Sequence, residues 1–244
     1  MEEADRYLGS SRIADYCPNG LQVEGRPQVM RIVSGVTASQ ALLDAAVEAK
    51  ADLVLVHHGY FWKGENPCIT GMKQRRLKTL LKHDISLLAY HLPLDLHPEV
   101  GNNVQLARQL DITVEGPLDP ENPKGRRPGG FPQRADDRAG LCPPGARGNG
   151  ARAAADRRQR DDPSGRLVHR WRPGLHRPGG AGRRRPVPQW RSSEQTFHCA
   201  RENDISFIAA GHHATERHGV QALGDYLARR FALEHLFIDC PNPI

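Results

Sequence analysis

Three apolar runs in this 244-residue chain end in histidine: Leu53–Val56 in His57-His58, Leu87–Tyr90 in His91-Leu-Pro-Leu-Asp95, and Phe207–Gly211 in His212-His213-Ala-Thr-Glu216. Imidazole and carboxylate without thiolate form a donor set for Zn, Fe, Mn or Ni, and spacing alone does not choose among them. A carboxylate can bridge two cations about 3.5–4 Å apart, and such a pair makes water a nucleophile near neutral pH. A single histidine at a strand end is ordinarily a hydrogen-bonded surface or core residue. Five histidines on three strand ends, with Asp95 and Glu216 close by, point instead to a metal centre.

The surrounding pattern supplies the elements. Arg31–Val36 is a short β-rich run, and Thr37-Ala-Ser-Gln40 reads as a capping box for a helix carrying Leu42, Leu43, Ala46 and Val47. Asp52–Val56 is continuously apolar, as in a sheet covered on both faces. Met72–Lys82 predicts an amphipathic helix with Leu77, Leu80 and Leu81 inward, Ile85–Tyr90 a strand, and Asn103–Leu110 a short helix. Later, Ile205–Ala210 reads as a strand, and Thr215–Phe231 as a helix with Val220, Leu223, Leu227 and Phe231 on one stripe. Leu236–Ile238 is a last strand. Alternating strands and helices predict a layered α/β/α fold with a mostly parallel sheet. In such sheets chemistry collects beyond the carboxyl ends of the strands, where these histidines lie. Glu216 then falls in the first turn of a helix, a favourable place for negative charge.

Composition narrows the class. No apolar run of about 18 residues exists, which excludes a membrane-spanning helix. Five cysteines (Cys17, Cys68, Cys142, Cys199, Cys240), with no Cys-x-x-Cys pair, argue against a disulfide framework or a thiolate zinc site. Met1–Asp5 is acidic and lacks the order of a signal peptide, so a cytoplasmic location is expected.

The net charge of +6 is a composite. Residues 124–191 hold 18 basic and five acidic groups, and the remaining 176 residues hold 16 basic and 23 acidic. Of those 68 residues, 38 are Arg, Gly or Pro, too apolar-poor to build a core, so disorder is expected there. Three readings compete: an Arg/Gly-rich nucleic-acid-binding arm, a flexible linker, or a stretch translated out of frame through G/C-rich codons. The last is favoured, because regular patterning stops near Pro120 and resumes near Ser192. The expected division is a first α/β domain over 1–123, the anomalous segment 124–191, and a C-terminal α/β part over 192–244.

Other candidates are weaker. Tyr60-Phe61-Trp62-Lys63 could stack a base and hold a phosphate, though an aromatic cluster after a strand is more often packing. Asn102-Asn103 could orient a substrate, but Asn at a helix start is usually a cap. His83, His97, His169, His176, His198, His218 and His235 lack the strand-end context and read as surface residues, with a small allowance for a supporting role at His97 and His198.

The motifs DYCPNGLQVEG (Asp15–Gly25), GVTASQALLDAAV (Gly35–Val47), VHHGYFWKGENP (Val56–Pro67), RLKTLLKHDISLLAYHLPLDLHPEVGNN (Arg76–Asn103), AAGHHATERHGVQAL (Ala209–Leu223) and FIDCPNP (Phe237–Pro243) closely resemble the bacterial GTP cyclohydrolase 1 type 2 homolog family, also described as dinuclear metal-centre hexameric proteins. The resemblance spans about residues 12–120 and 192–244. It implies two related α/β domains, the second disrupted here by residues 124–191, in a toroidal homohexamer with two divalent ions per subunit. It implies His57 and His58 as ligands to different cations, with Asp95, His212 and a bridging Glu216 completing the set, and His91 near the site. Agreement restarts at Ser193, where Trp190-Arg191 stand in place of the family's Gly-Glu pair. The leading functional expectation is a metal-dependent hydrolase of a nucleotide or related small molecule. The alternative is a non-catalytic, ring-shaped metal protein that binds or regulates, with nucleic acid as a weaker partner.

Overall fold

A computed structural model of the chain describes residues 1–114, 133–135, 187–189, 198, 201–202 and 207–243. The helices are α1 (Glu2–Leu8), α2 (Gln40–Glu48), α3 (Gly71–Lys82), α4 (Leu92–Leu96), α5 (Asn102–Gln109), α6 (His212–Thr215) and α7 (Arg217–Phe231). The strands are β1 (Gly20–Val23), β2 (Arg31–Thr37), β3 (Leu53–His58), β4 (Ser86–Ala89), β5 (Ile112–Val114), β6 (Gln133–Ala135), β7 (Val187–Gln189), β8 (Phe207–Ala209) and β9 (Glu234–Phe237). Two units result, one of Met1–Gly101 with Glu216–Pro241, the other of Asn102–Thr215 with Asn242–Ile244.

The first unit is built on a five-stranded sheet in the order β1-β4-β3-β2-β9, parallel except for β1, which runs antiparallel to β4. Side chains alternate across it, as strand geometry requires. Val33, Val54, Val56, Leu87 and Ala89 meet Leu42, Leu43 and Ala46 of α2 and Leu77 and Leu80 of α3. Ile32, Leu53, Leu55, Leu88 and Tyr90 meet Ala4 and Leu8 of α1 and Val220, Leu223 and Leu227 of α7. Both faces are therefore covered, which is why β3 has no polar residue until His57. The α/β fold with a mostly parallel sheet is as the sequence implied.

One polar strut fastens the edge strand. Ser34 Oγ lies 2.7 Å from His235 Nε2, and His235 Nδ1 lies 2.7 Å from Asp225 Oδ1, tying β2, β9 and α7 together. The connectivity matches a serine-hydrolase triad, but Ser34 is fully buried, so no acyl donor can reach it. Gly224 makes the strut possible, since a Cβ there would stand 2.2 Å from His235 Nε2.

Several local expectations are corrected. Thr37 ends β2 rather than capping α2; the cap is Ser39, whose Oγ accepts from Leu42 N at 3.3 Å. Leu81 and Phe231, expected inward, are 61% and 51% exposed. The single helix expected over Thr215–Phe231 is instead a one-turn α6 followed by α7, with Glu216 at the junction. His235, expected at the surface, belongs to the strut. His97, likewise expected there, is buried, its Nε2 facing Tyr7 O at 3.1 Å and its Nδ1 accepting from Val100 N at 3.2 Å. Burial holds its pKa below the usual imidazole range.

In the second unit, β5 pairs antiparallel with β6, and β7 pairs parallel with β8. The expectations of disorder and of a frame error over residues 124–191 fall outside the described residues, apart from the backbone of 133–135 and 187–189.

Candidate metal centre

The site grows from the carboxyl ends of β3 and β4. His57 and His58 are the last two residues of β3, whose ladder holds Thr37 opposite His58. Beyond β4 the chain passes Tyr90, turns at His91 and enters α4, where Asp95 N donates to His91 O at 3.0 Å. His91 turns with φ −100° and ψ −103°, outside the common backbone basins, and Asp95 follows in the first turn of α4. The third contribution arrives from far along the chain: Glu216 stands at the N-cap of α7, where the helix end favours its charge.

These residues converge. His57 Nε2 lies 3.4 Å from Asp95 Oδ1 and 3.4 Å from Glu216 Oε1, while His58 Nε2 lies 3.3 Å from Glu216 Oε2. Neighbouring strand residues ordinarily point to opposite faces. At this strand end, however, the two imidazole centroids are 4.5 Å apart. His57, Asp95 and Glu216 are 0–1% exposed.

The spacing discriminates between two ways of satisfying these atoms. A charge-assisted N–H···O bond closes to about 2.7–2.9 Å. Two ligand atoms each about 2.1 Å from one cation, at a tetrahedral angle, stand about 3.4 Å apart. The observed separations match the second case. His57 Nε2 is buried and stands 3.4 Å from both carboxylates, longer than a normal charge-assisted bond, while its ring is fixed by Nδ1, which donates to Tyr90 O at 2.9 Å. That outer bond is the usual support of a metal-binding imidazole. Burial opposes the charged form of His57, but the charges of Glu216 and Asp95 and the Tyr90 carbonyl outweigh it and lift its pKa to about 9. Two buried carboxylates converging on two imidazoles make a place suited to a cation. The residues fit the metal ions that the sequence implied.

Further polar groups brace this cluster from outside. Asp15 accepts from His91 Nδ1 at 2.9 Å, from Leu92 N at 2.8 Å and from Asn19 Nδ2 at 3.0 Å. Burial opposes ionisation of Asp15, yet these donors hold its carboxyl below the usual range. Ligand-type atoms of His57, His58 and His91 lie within 4.8 Å of one another, as do those of Asp15, Cys17 and His91. Burial, and then the charges of Asp15 and Asp95, push the Cys17 thiol up to about 12, so it stays neutral.

Of the five expected ligands, His57, His58, Asp95 and Glu216 come together in the first unit. His212 opens α6 in the second unit, one turn of chain before Glu216, and Thr215 Oγ1 closes that turn by donating to Gly211 O at 2.9 Å. Asn102 and Asn103 are buried in the first turn of α5. Asp15 was missed as a supporting residue: it lies 76 residues from His91, and no periodicity links the two. Of the Tyr60–Lys63 run, Tyr60 packs, its hydroxyl donating to Ala38 O at 2.8 Å.

The model of the Duf34/NIF3 (NGG1p interacting factor 3) family matches residues 2–175 and 192–243, further than the motifs alone reached. A GTP cyclohydrolase 1 type 2 homolog of Pseudomonas aeruginosa is 64% identical over 261 residues, covering 100% of this chain and 96% of that protein. The solved structure of TTHA1606 from Thermus thermophilus superposes with a TM-score of 0.79 at 32% identity, covering 100% of this chain and 97% of that one. The protein ybgI, of unknown function, gives 0.73 at 39% identity with the same coverages. Among the described residues, no helix is long and apolar enough to cross a membrane.

Proposed function

The chain belongs to the Duf34/NIF3 family, and from that premise we propose that it is a dinuclear metal-dependent hydrolase of a nucleotide or related small molecule. The observation that carries this reading is the position of Glu216, whose two oxygens face the Nε2 atoms of two different histidines at 3.4 and 3.3 Å. His57, Asp95 and Glu216 would hold one divalent cation. His58 and Glu216 would hold the other, with His212 as the further ligand that the resemblance implies. When bound, the pair of cations supplies Lewis acidity toward the electrophile and lowers the barrier to attack by water.

The protein's own groups do the rest. Tyr90 fixes the His57 ring through its carbonyl, so Nε2 keeps its direction without reorganisation. Near-complete burial of Asp95 and Glu216 keeps bulk water away and strengthens every charge interaction in the cluster. Asp15 anchors His91 beside it. Assembly as a homohexamer, which the resemblance also implies, belongs to the same reading.

The test is a double substitution, His58→Ala with Asp95→Ala, followed by metal analysis. Near-complete loss of metal supports the assignment, and full stoichiometry in the double variant refutes it. Turnover of GTP or bis(p-nitrophenyl) phosphate by metal-loaded wild type, abolished by chelation, supports hydrolysis. A metal-loaded protein inert toward both substrates counts against hydrolysis and favours a binding or regulatory role.

A further inference from the structure

Two aromatic rings border the imidazoles of the candidate centre without being absorbed into the core. Trp62 is half-buried, its ring centroid 6.0 Å from that of His58 and 5.0 Å from that of His91. Tyr16 is 36% exposed, 5.0 Å from His91 and 5.6 Å from Trp62. Both rings therefore keep part of their surface in contact with water.

The loops that carry the two rings are tied to one another, Lys63 N donating to Tyr16 O at 2.7 Å. Gln22 closes the second loop from both sides, its Oε1 accepting from Tyr60 N at 2.7 Å and its Nε2 donating to Tyr60 O at 3.1 Å. Trp62 Nε1 donates to Gly59 O at 3.2 Å, which satisfies the indole N–H. Between Tyr60 and Trp62, Phe61 adopts φ 64°, a left-handed conformation that a bulky residue keeps only when its surroundings impose it.

We infer that Tyr16 and Trp62 form a binding wall for a planar heteroaromatic ring, the base portion of a nucleotide-like ligand, beside the metal centre. Every nucleobase has a π-face, and a pre-ordered aromatic side chain takes it by stacking without reading its edge. The wall therefore selects for the presence of a ring more than for its identity. The inference deepens the proposed function and rests on its assignment of a nucleotide-like substrate.

The test measures binding by equilibrium dialysis on the full-length protein, manganese-loaded and metal-stripped. The probes are guanosine 5′-monophosphate, adenosine 5′-monophosphate and ribose 5-phosphate. Both nucleotides should bind about tenfold or more tighter than the ring-free sugar phosphate, and they should differ little from each other. Trp62→Leu should bring that preference to within about twofold, and Trp62→Phe should restore most of it. Metal content should match wild type in both variants. Tyr16→Leu provides an independent arm if Trp62→Leu fails to fold. Equal affinity of wild type for nucleotide and sugar phosphate overturns the inference, as does an undiminished preference in every folded leucine variant. A protein that binds no manganese yet prefers nucleotides defeats the dinuclear reading and leaves the wall standing.

Discussion

Replacing Glu216 with Gln should remove the effect of metal on stability entirely, whereas replacing Asp95 with Asn should remove about half of it. Glu216 faces both His57 and His58, while Asp95 faces His57. A neutral amide of the same shape keeps the packing but offers one weak oxygen where the carboxylate offered two anionic ones. A cation at 100 times its dissociation constant stabilises the folded state by about 2.7 kcal/mol. Two such sites would give about 5 kcal/mol. For a chain of this length, each kcal/mol moves the melting temperature by about 2–4 °C. Wild type should therefore melt about 10–20 °C higher with saturating zinc or manganese than after chelation. Asp95→Asn should keep about 5–10 °C of that shift, and Glu216→Gln close to none. Differential scanning fluorimetry of the three proteins, each with and without metal, reads the pattern directly. A half-sized shift in Glu216→Gln, or complete loss in Asp95→Asn, would refute the idea that one carboxylate serves two cations.

Three further outcomes follow from the geometry. Asp15 has a lowered pKa, so its contribution to stability is present above the unfolded carboxylate value of about 3.9 and is lost as pH falls through the folded value. Asp15→Asn should therefore be less stable than wild type at pH 7 and unfold with a shallower dependence below about pH 4, measured by urea denaturation across pH; parallel acid profiles would exclude the role given to Asp15. Cys17, its thiol pushed up to about 12, should be alkylated by iodoacetamide at about pH 7.5 far more slowly than exposed Cys68, as peptide mapping would read; equal labelling would contradict this environment. Leu55→Ala, in the middle of β3 and fully buried, should cost about 2–5 kcal/mol; a loss below about 1 kcal/mol would mean that this face of the sheet is not the packed core described.

The sequence disclosed those parts of the fold in which one signal decides the outcome. Continuous apolar runs marked β3 and β4, because strands buried on both faces have no polar side. The histidines stood out because they interrupt such runs at their carboxyl ends. Residues decided by tertiary partners were harder to read. Leu81 sits on a helix whose inward stripe is filled by Leu77 and Leu80, so a third leucine at the stripe's margin meets solvent. His97 and His235 looked like surface histidines until partners distant in sequence, Tyr7 for one and Ser34 for the other, supplied hydrogen bonds that offset the cost of burial. The antiparallel β1 was invisible, since Gly20–Val23 is short and its register comes from Ala89 and Leu88 across the sheet. The ligand assignments had support from motif resemblance, while Asp15 required three-dimensional proximity to be noticed at all.

The first unit is stitched from two distant stretches of chain, and one late segment delivers both Glu216 and β9. A ribosome that has released residues up to 215 has made His57, His58 and Asp95, together with a sheet whose β2 still lacks an edge neighbour. The missing acid and the missing strand then arrive together, Glu216 just ahead of α7 and β9 just behind it. A truncated or prematurely terminated copy is thus deprived of the Glu216 carboxylate and left with an open, sticky strand.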